Sequence, residues 1–187
     1  MLPRTLAALL LAAVGVWLLL PHASPCNFSR CSGGVAVAAK LAEDLSGEEN
    51  IAFAFCDHAV DNYDGFRFLA QEVPETATVL LLDNLASGPA AALAHGEWEN
   101  SAAMQLCGML TQDKVLNRTY TEEQRQRNLL ALFPHGLLLT CGRVEQGEFV
   151  VDNTCCAQDH ALNLPRMERM ERALAMFAKQ AANKKEN

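Results

Sequence analysis

The sequence predicts an α/β domain with a mixed four-stranded sheet, flanking helices and stabilising disulfides. Three observations carry that reading. Four short apolar runs, residues 51–56, 76–82, 136–141 and 148–151, are bounded by turn-forming residues and are too brief for ordinary helices. Between them lie stretches whose apolar residues recur three and four apart, the spacing of one helix face. An uncharged run of fifteen residues, 6–20, follows Arg4, and all seven cysteines come after it. Such a leader directs a chain out of the reducing cytosol, where cysteines become disulfides.

The leader sets the compartment for the rest. Fifteen helical residues span about 22 Å, against a hydrocarbon core of about 30 Å. Residues 1–23 therefore read as a signal peptide. The alternative is a retained signal anchor that meets the membrane through residues 5–20 alone. Residues 24–187 read as a single exported domain, secretory, extracellular or periplasmic, and roughly 164 residues are enough for a substantial core. The formal net charge is -7, and Arg4 is the only charge in the leader. The exported part is thus more acidic still, which excludes nucleic acid as a ligand and disfavours adhesion to anionic lipid.

Taken in order, the elements begin with Gly33 and Gly34, which free the backbone ahead of a helix over 35–45. Leu41 and Leu45 lie four apart there, with Val37 and Ala38 on the same side, and Ser46-Gly47 supplies the stop. Residues 51–56 alternate large and small apolar side chains, as in a central buried strand. A helix from Tyr63 or Asp64 to Glu72 turns Phe66, Leu69, Ala70 and Val73 inward, with Pro74 marking its end. Residues 76–82 form the second strand, so strand, helix and strand make a parallel crossover unit. Gly88-Pro89 breaks the chain, and residues 90–94 read as a short helical turn. A helix over 98–110 places Ala103, Leu106, Cys107 and Leu110 on one side, and Trp98 and Met104 are expected in the core. Thr121 and Gln124 form a capping-box pattern that opens a helix over 122–132. Residues 136–141 and 148–151 form an antiparallel hairpin across a turn at 142–147. The last helix, from Pro165 to Ala182, buries Met167, Met170, Leu174 and Phe177. Arg166, Glu168, Arg169 and Glu171 cover its outer side.

The side chains that carry chemistry are mostly sulfur. Cys26 and Cys31 precede the first helix, where a thiolate gains from the helix dipole and from unpaired amides. They read either as a redox-active pair or as a structural disulfide. Cys56 and His58 follow an apolar run and, two apart in an extended segment, share a side, which suits a Cys–His nucleophile. Cys155 and Cys156, with Asp159 and His160, are the densest reactive set. Too few ligands are local for a tetrahedral zinc site, so no metal is expected, and adjacent cysteines instead send disulfides to different elements. The disulfide candidates are Cys26, Cys31, Cys107, Cys141, Cys155 and Cys156, and an odd total leaves one cysteine over. Asn27-Phe-Ser29 and Asn117-Arg-Thr119 are acceptor patterns for N-glycosylation in a eukaryotic cell. Neither a nucleophile elbow, a phosphate-binding glycine loop nor a His-Glu-x-x-His pattern is present.

The order of a cysteine pair, helix, strand, helix and strand over residues 26–82, followed by a hairpin and a last helix, resembles thioredoxin-like domains. The resemblance implies thiol–disulfide exchange at Cys26 and Cys31. It departs from the family where the leader takes the place of the strand before the cysteines. It departs again at Pro74, which does not sit directly before its strand as the family's proline does.

The expected function is therefore non-catalytic: an exported, disulfide-stabilised domain that binds a macromolecule or supports a structure, with a protein as candidate partner and no cofactor. The alternatives are a thioredoxin-like oxidoreductase using Cys26 and Cys31, and a cysteine-dependent hydrolase at Cys56 and His58.

Overall fold

A computed structural model describes residues 28–56, 64–86, 88–96, 101–113, 115–126, 129–151 and 163–183. The leader, Cys26, Asn27, His58, Trp98, Cys155, Cys156, Asp159 and His160 lie outside the described residues.

The chain is α/β. Helix α1 (Phe28–Asp44) is followed by α2 (Asp64–Glu72), β1 (Val79–Asp83), β2 (Ala90–His95) and α3 (Ser101–Met109). A 3₁₀ turn (Thr111–Asp113) leads to β3 (Val115–Thr119), α4 (Glu122–Gln126) and a second 3₁₀ turn (Leu129–Leu132). Strands β4 (Gly136–Glu145) and β5 (Glu148–Val151) precede the long α5 (Leu164–Asn183). The sheet has five strands and is mixed, ordered β1-β4-β2-β3 with β5 pairing the far half of β4. β1 runs parallel to β4 and β2 parallel to β3, while β2 and β5 are antiparallel to β4.

Alternation along the strands sends side chains to two faces. Ala91, Leu93, Leu137, Leu139 and Cys141 share one face with Val37, Leu41 and Leu45 of α1, Ala103 and Leu106 of α3, and Met170, Leu174 and Phe177 of α5. Leu81, Ala94 and Leu138 meet Phe66, Leu69, Ala70 and Val73 beside α2, together with Leu130 and Phe133. The result is a layered helix–sheet–helix arrangement with most of the apolar volume under α1, α3 and α5.

Several expected elements are present as read. Phe66, Leu69 and Ala70 of α2, with Val73 just behind it, are partly buried against the core as expected, and Phe68 is 68% exposed. The capping box is formed in both directions: Thr121 N donates to Gln124 Oε1 at 2.9 Å, and Gln124 N donates to Thr121 Oγ1 at 3.3 Å. The β4–β5 hairpin turns at Gln146 (φ 51°) and Gly147 (φ 87°). Two consecutive positive φ values make the two-residue turn whose twist matches the flanking strands. β4 therefore runs on through Glu145, into the 142–147 stretch that the sequence reads as turn.

Other expectations are corrected. α1 begins at Phe28, so Gly33 and Gly34 lie inside it rather than ahead of it. A Cβ on Gly33 would stand 2.6 Å from Ala86 N, and one on Gly34 would stand 2.9 Å from Leu82 O. Their missing side chains allow α1 to lie directly on the end of β1 and the turn behind it. Residues 51–56 form no strand. Ile51 and Phe53 are half-buried against the core while Ala52 and Ala54 are exposed. Alternation reports an extended backbone with one buried side; it does not report pairing, and the expected crossover unit is absent because β1 takes β4 as its parallel partner. Residues 90–94 are not a helical turn but part of β2, hydrogen-bonded to β3 on one side and β4 on the other. A single buried helical turn would strand most of its amides and carbonyls, whereas a central strand satisfies them on both edges. Of the helix expected over 122–132, Glu122–Gln126 is α-helical and Leu129–Leu132 is a 3₁₀ turn. Met104 is 60% exposed rather than in the core.

Candidate functional site

The buried polar residues Asn84, Asp113 and Arg166 gather where β1, β4, the chain just after β1 and the start of α5 meet. Asn84 takes a left-handed backbone conformation (φ 48°) directly after β1. Its main chain continues the ladder, with Cys141 N donating to Asn84 O at 3.1 Å, and its side-chain Nδ2 donates to Cys141 O at 3.0 Å. Leu85 and Ala86 are then buried, and Gly88 turns the chain at φ 81°.

α5 closes this corner. Asn163 precedes the helix and caps it: its Oδ1 accepts from Arg166 N at 3.2 Å, and its own N–H donates to Ala86 O at 3.2 Å. Arg166, which the sequence puts on the solvated side of the helix, is buried. Its guanidinium donates to the carbonyls of Gly88 and of Pro89, the latter at 2.7 Å. Asp113 lies between the two arginines of this turn, 2.6 Å from Arg169 Nη2 and 3.6 Å from Arg166 Nε. Both cations sit near the positive end of the helix dipole, an unfavourable place that the Asp113 carboxylate offsets. Arg169 is likewise corrected from a surface residue to a partner of Asp113.

Cys141 faces this cluster and is fully buried, its Sγ donating to Leu85 O at 3.7 Å. Burial pushes its thiol up to about 11, outweighing the opposing pull of Arg166. At neutral pH the sulfur stays protonated, so it serves packing and not attack. Burial also raises the Cys107 thiol. The arrangement around Arg166 ties a turn to a helix.

A second polar group spans β2, β3 and α3. His95 is buried at the end of β2, and its Nε2 lies 2.9 Å from Asn117 Oδ1. Asn117 Nδ2 in turn donates to Met104 Sδ at 3.5 Å. The amide oxygen can only accept, so His95 carries its proton on Nε2, and Nδ1 is left buried without a partner among the described residues.

The remaining sequence candidates are distributed as follows. Cys31 lies in the first turn of α1. Cys56 is half-buried at the end of the 51–56 segment, and its expected partner His58 lies outside the described residues. Among the described residues no disulfide is at bonding distance, and Cys107 and Cys141 are thiols. No group of three His, Cys, Asp or Glu among them is placed to hold a metal ion, and none of their helices is long and apolar enough to cross a membrane. Asp113, Arg166 and His95 are the polar residues the sequence reading missed. Arg166 had a signal: it is four, seven and eleven residues ahead of the buried Met170, Ala173 and Phe177. Compared with protein-family models, with curated proteins and with solved structures, the chain shows no match.

The Cys141 environment gives a titration test. Its ordinary thiol value is 9.0 and its folded value about 11. The folded chain therefore keeps a proton that the unfolded chain loses, and this contribution to stability is full below pH 9 and is lost as pH rises toward 11. Urea titrations across that window should show a decline that is smaller in Cys141→Ala, which keeps only the Cys107 part. In the native protein Cys141 should also resist thiol alkylation, and it should label once the chain is unfolded without reductant. Rapid labelling of Cys141 in the folded state would contradict its burial.

Proposed function

We propose that this protein is an exported, disulfide-stabilised α/β domain with a non-catalytic role, binding a protein partner or supporting a secreted or envelope structure. The observation that carries the reading is the uncharged run at 6–20 behind Arg4, with every cysteine after it. The interior supports the non-catalytic part. Its buried arginine is spent on backbone carbonyls and one carboxylate, and burial keeps the Cys107 and Cys141 thiols protonated. An odd cysteine must stay unpaired, and Cys141, already bonded to Leu85 O, fits that part. Cys26, Cys31, Cys155 and Cys156 then remain as the disulfide candidates.

Fractionation of the cell that makes the protein, with N-terminal sequencing and a disulfide map, tests this. The chain should be found behind a membrane, starting near residue 24 or retaining residues 1–23 as an anchor, with Cys141 reduced. Recovery from the cytosol with all seven cysteines reduced would overturn it.

A second reading is favoured by one observation. Cys31 occupies the first turn of α1, where helix amides and dipole stabilise a thiolate, and Cys26 comes five residues earlier in the sequence. This is the thiol–disulfide exchange that a thioredoxin-like domain would carry out. It requires a Cys26–Cys31 disulfide that opens under mild dithiol; a pair that persists until the chain unfolds would dismiss it.

A further inference from the structure

The Asn117-Arg-Thr119 pattern falls on β3, the last strand of the sheet, and no described strand pairs with its outer side. An outer strand offers unpaired amides and carbonyls to any other extended chain, and folded proteins cover such edges or charge them. Around β3, Leu116 is 39% and Met104 60% exposed. Arg118 is drawn to the opposite face, where it meets Glu148 at 3.4 Å. Asn117 and Thr119, on the other face of the strand, are uncharged.

We propose that Asn117 carries an N-linked oligosaccharide that shields this strand edge and the exposed apolar surface of Met104 beside it. The proposal rests on the export reading. Asn117 and Thr119 are both exposed and, two apart on a strand, share a face. The His95 bond holds the amide oxygen inward and turns Nδ2 toward the exposed Met104 sulfur, so the nitrogen that would bear the sugar stands at the surface. In the transfer Nδ2 attacks the anomeric carbon of a lipid-diphosphate oligosaccharide. The new C–N bond forms as the carbon–oxygen bond to the diphosphate breaks; the amide releases one proton, and the lipid diphosphate departs with the bonding electron pair. One N–H and the whole of Oδ1 remain, so the buried His95 keeps its acceptor after modification.

The test is translation of the full chain with microsomes, carrying Asn27→Gln so that only one acceptor remains. Protease protection reports entry, and an endoglycosidase-sensitive mobility shift reports the glycan. The protected chain should show one shift, lost in Thr119→Ala, which leaves the Asn117 amide and its His95 bond in place, and restored in Thr119→Ser. The unglycosylated Thr119→Ala chain recovered from the lumen should lose monomer to aggregates relative to the glycosylated chain. A protected but unshifted chain overturns the glycan and leaves export standing. A chain that is never protected overturns the export reading and the glycan with it. Equal monomer fractions with and without the sugar overturn the shielding role.

Discussion

Asp113→Ala should destabilise the fold by about 3–5 kcal/mol, the usual cost of removing one partner from a buried ion pair. The Asp113 side chain is 2% exposed and that of Arg166 8%. Without the carboxylate, Arg166 keeps its bonds to the Gly88 and Pro89 carbonyls, but its charge is left buried without its ion-pair partner among the described residues. Arg169 is a third exposed and can turn to solvent, so its pairing with Asp113 adds little. Most of the loss belongs to Arg166. Two companion variants separate charge from shape. Asp113→Asn keeps the volume and should lose nearly as much, because an amide does not neutralise a guanidinium. Arg169→Met should cost about 1 kcal/mol or less. Urea denaturation would read all three as lowered midpoints at unchanged slope. A loss below about 1 kcal/mol for Asp113→Ala would mean that the carboxylate is hydrated and the cluster is not a buried brace.

That cluster marks the limit of what the sequence could disclose. The apolar stripe of α5 was legible because helical periodicity is local, and Met170, Leu174 and Phe177 are buried as expected. Arg166 lies on the same stripe, but an arginine reads as solvated unless a partner for it is known. Its partners, Asp113 and the carbonyls of Gly88 and Pro89, lie more than fifty residues away in the chain, and spacing carries no record of them. The sheet was legible for the same kind of reason and only in part. The hairpin and β1 were read correctly because short apolar runs between turn residues have few alternatives. β2 is an alanine-rich run whose local preference is helical, and its central place in the sheet is a tertiary decision. β3, with exposed Asn117 and Thr119, has the half-polar pattern of an edge strand and lacks a clear signal. Residues 51–56 show the converse failure: their alternation records extended backbone, while pairing depends on where β4 goes. In the candidate sites, the chain order gave the cysteines but not their surroundings. Burial of Cys141, which removes it from any nucleophilic role, follows from the β4 register against β1 and β2.

Gly33→Ala tests the same corner from the other side, and two effects of opposite sign compete. Alanine is favoured over glycine inside a helix by about 1 kcal/mol. Against this, the added methyl at Gly33 would overlap the Ala86 side chain and lie 2.6 Å from Ala86 N. Ala86 cannot easily retreat, since it is buried and its carbonyl accepts from Asn163, the cap of α5. Yielding there would also disturb the carbonyls that hold Arg166. Overpacking of this kind costs about 1–3 kcal/mol and sometimes more, and the contact with backbone places it at the upper end. A net loss of about 2 kcal/mol is expected, and Gly33→Leu should exceed it. Gly108→Ala is the control, because it is the same change on α3 with nothing within 4 Å of the new methyl. It should raise stability by about 0.5–1 kcal/mol. The opposite signs at two helical glycines would isolate the contact between α1 and the turn at Ala86. A Gly33→Ala protein at least as stable as the parent would show that α1 does not rest on that turn, and that the two glycines serve some purpose other than close approach.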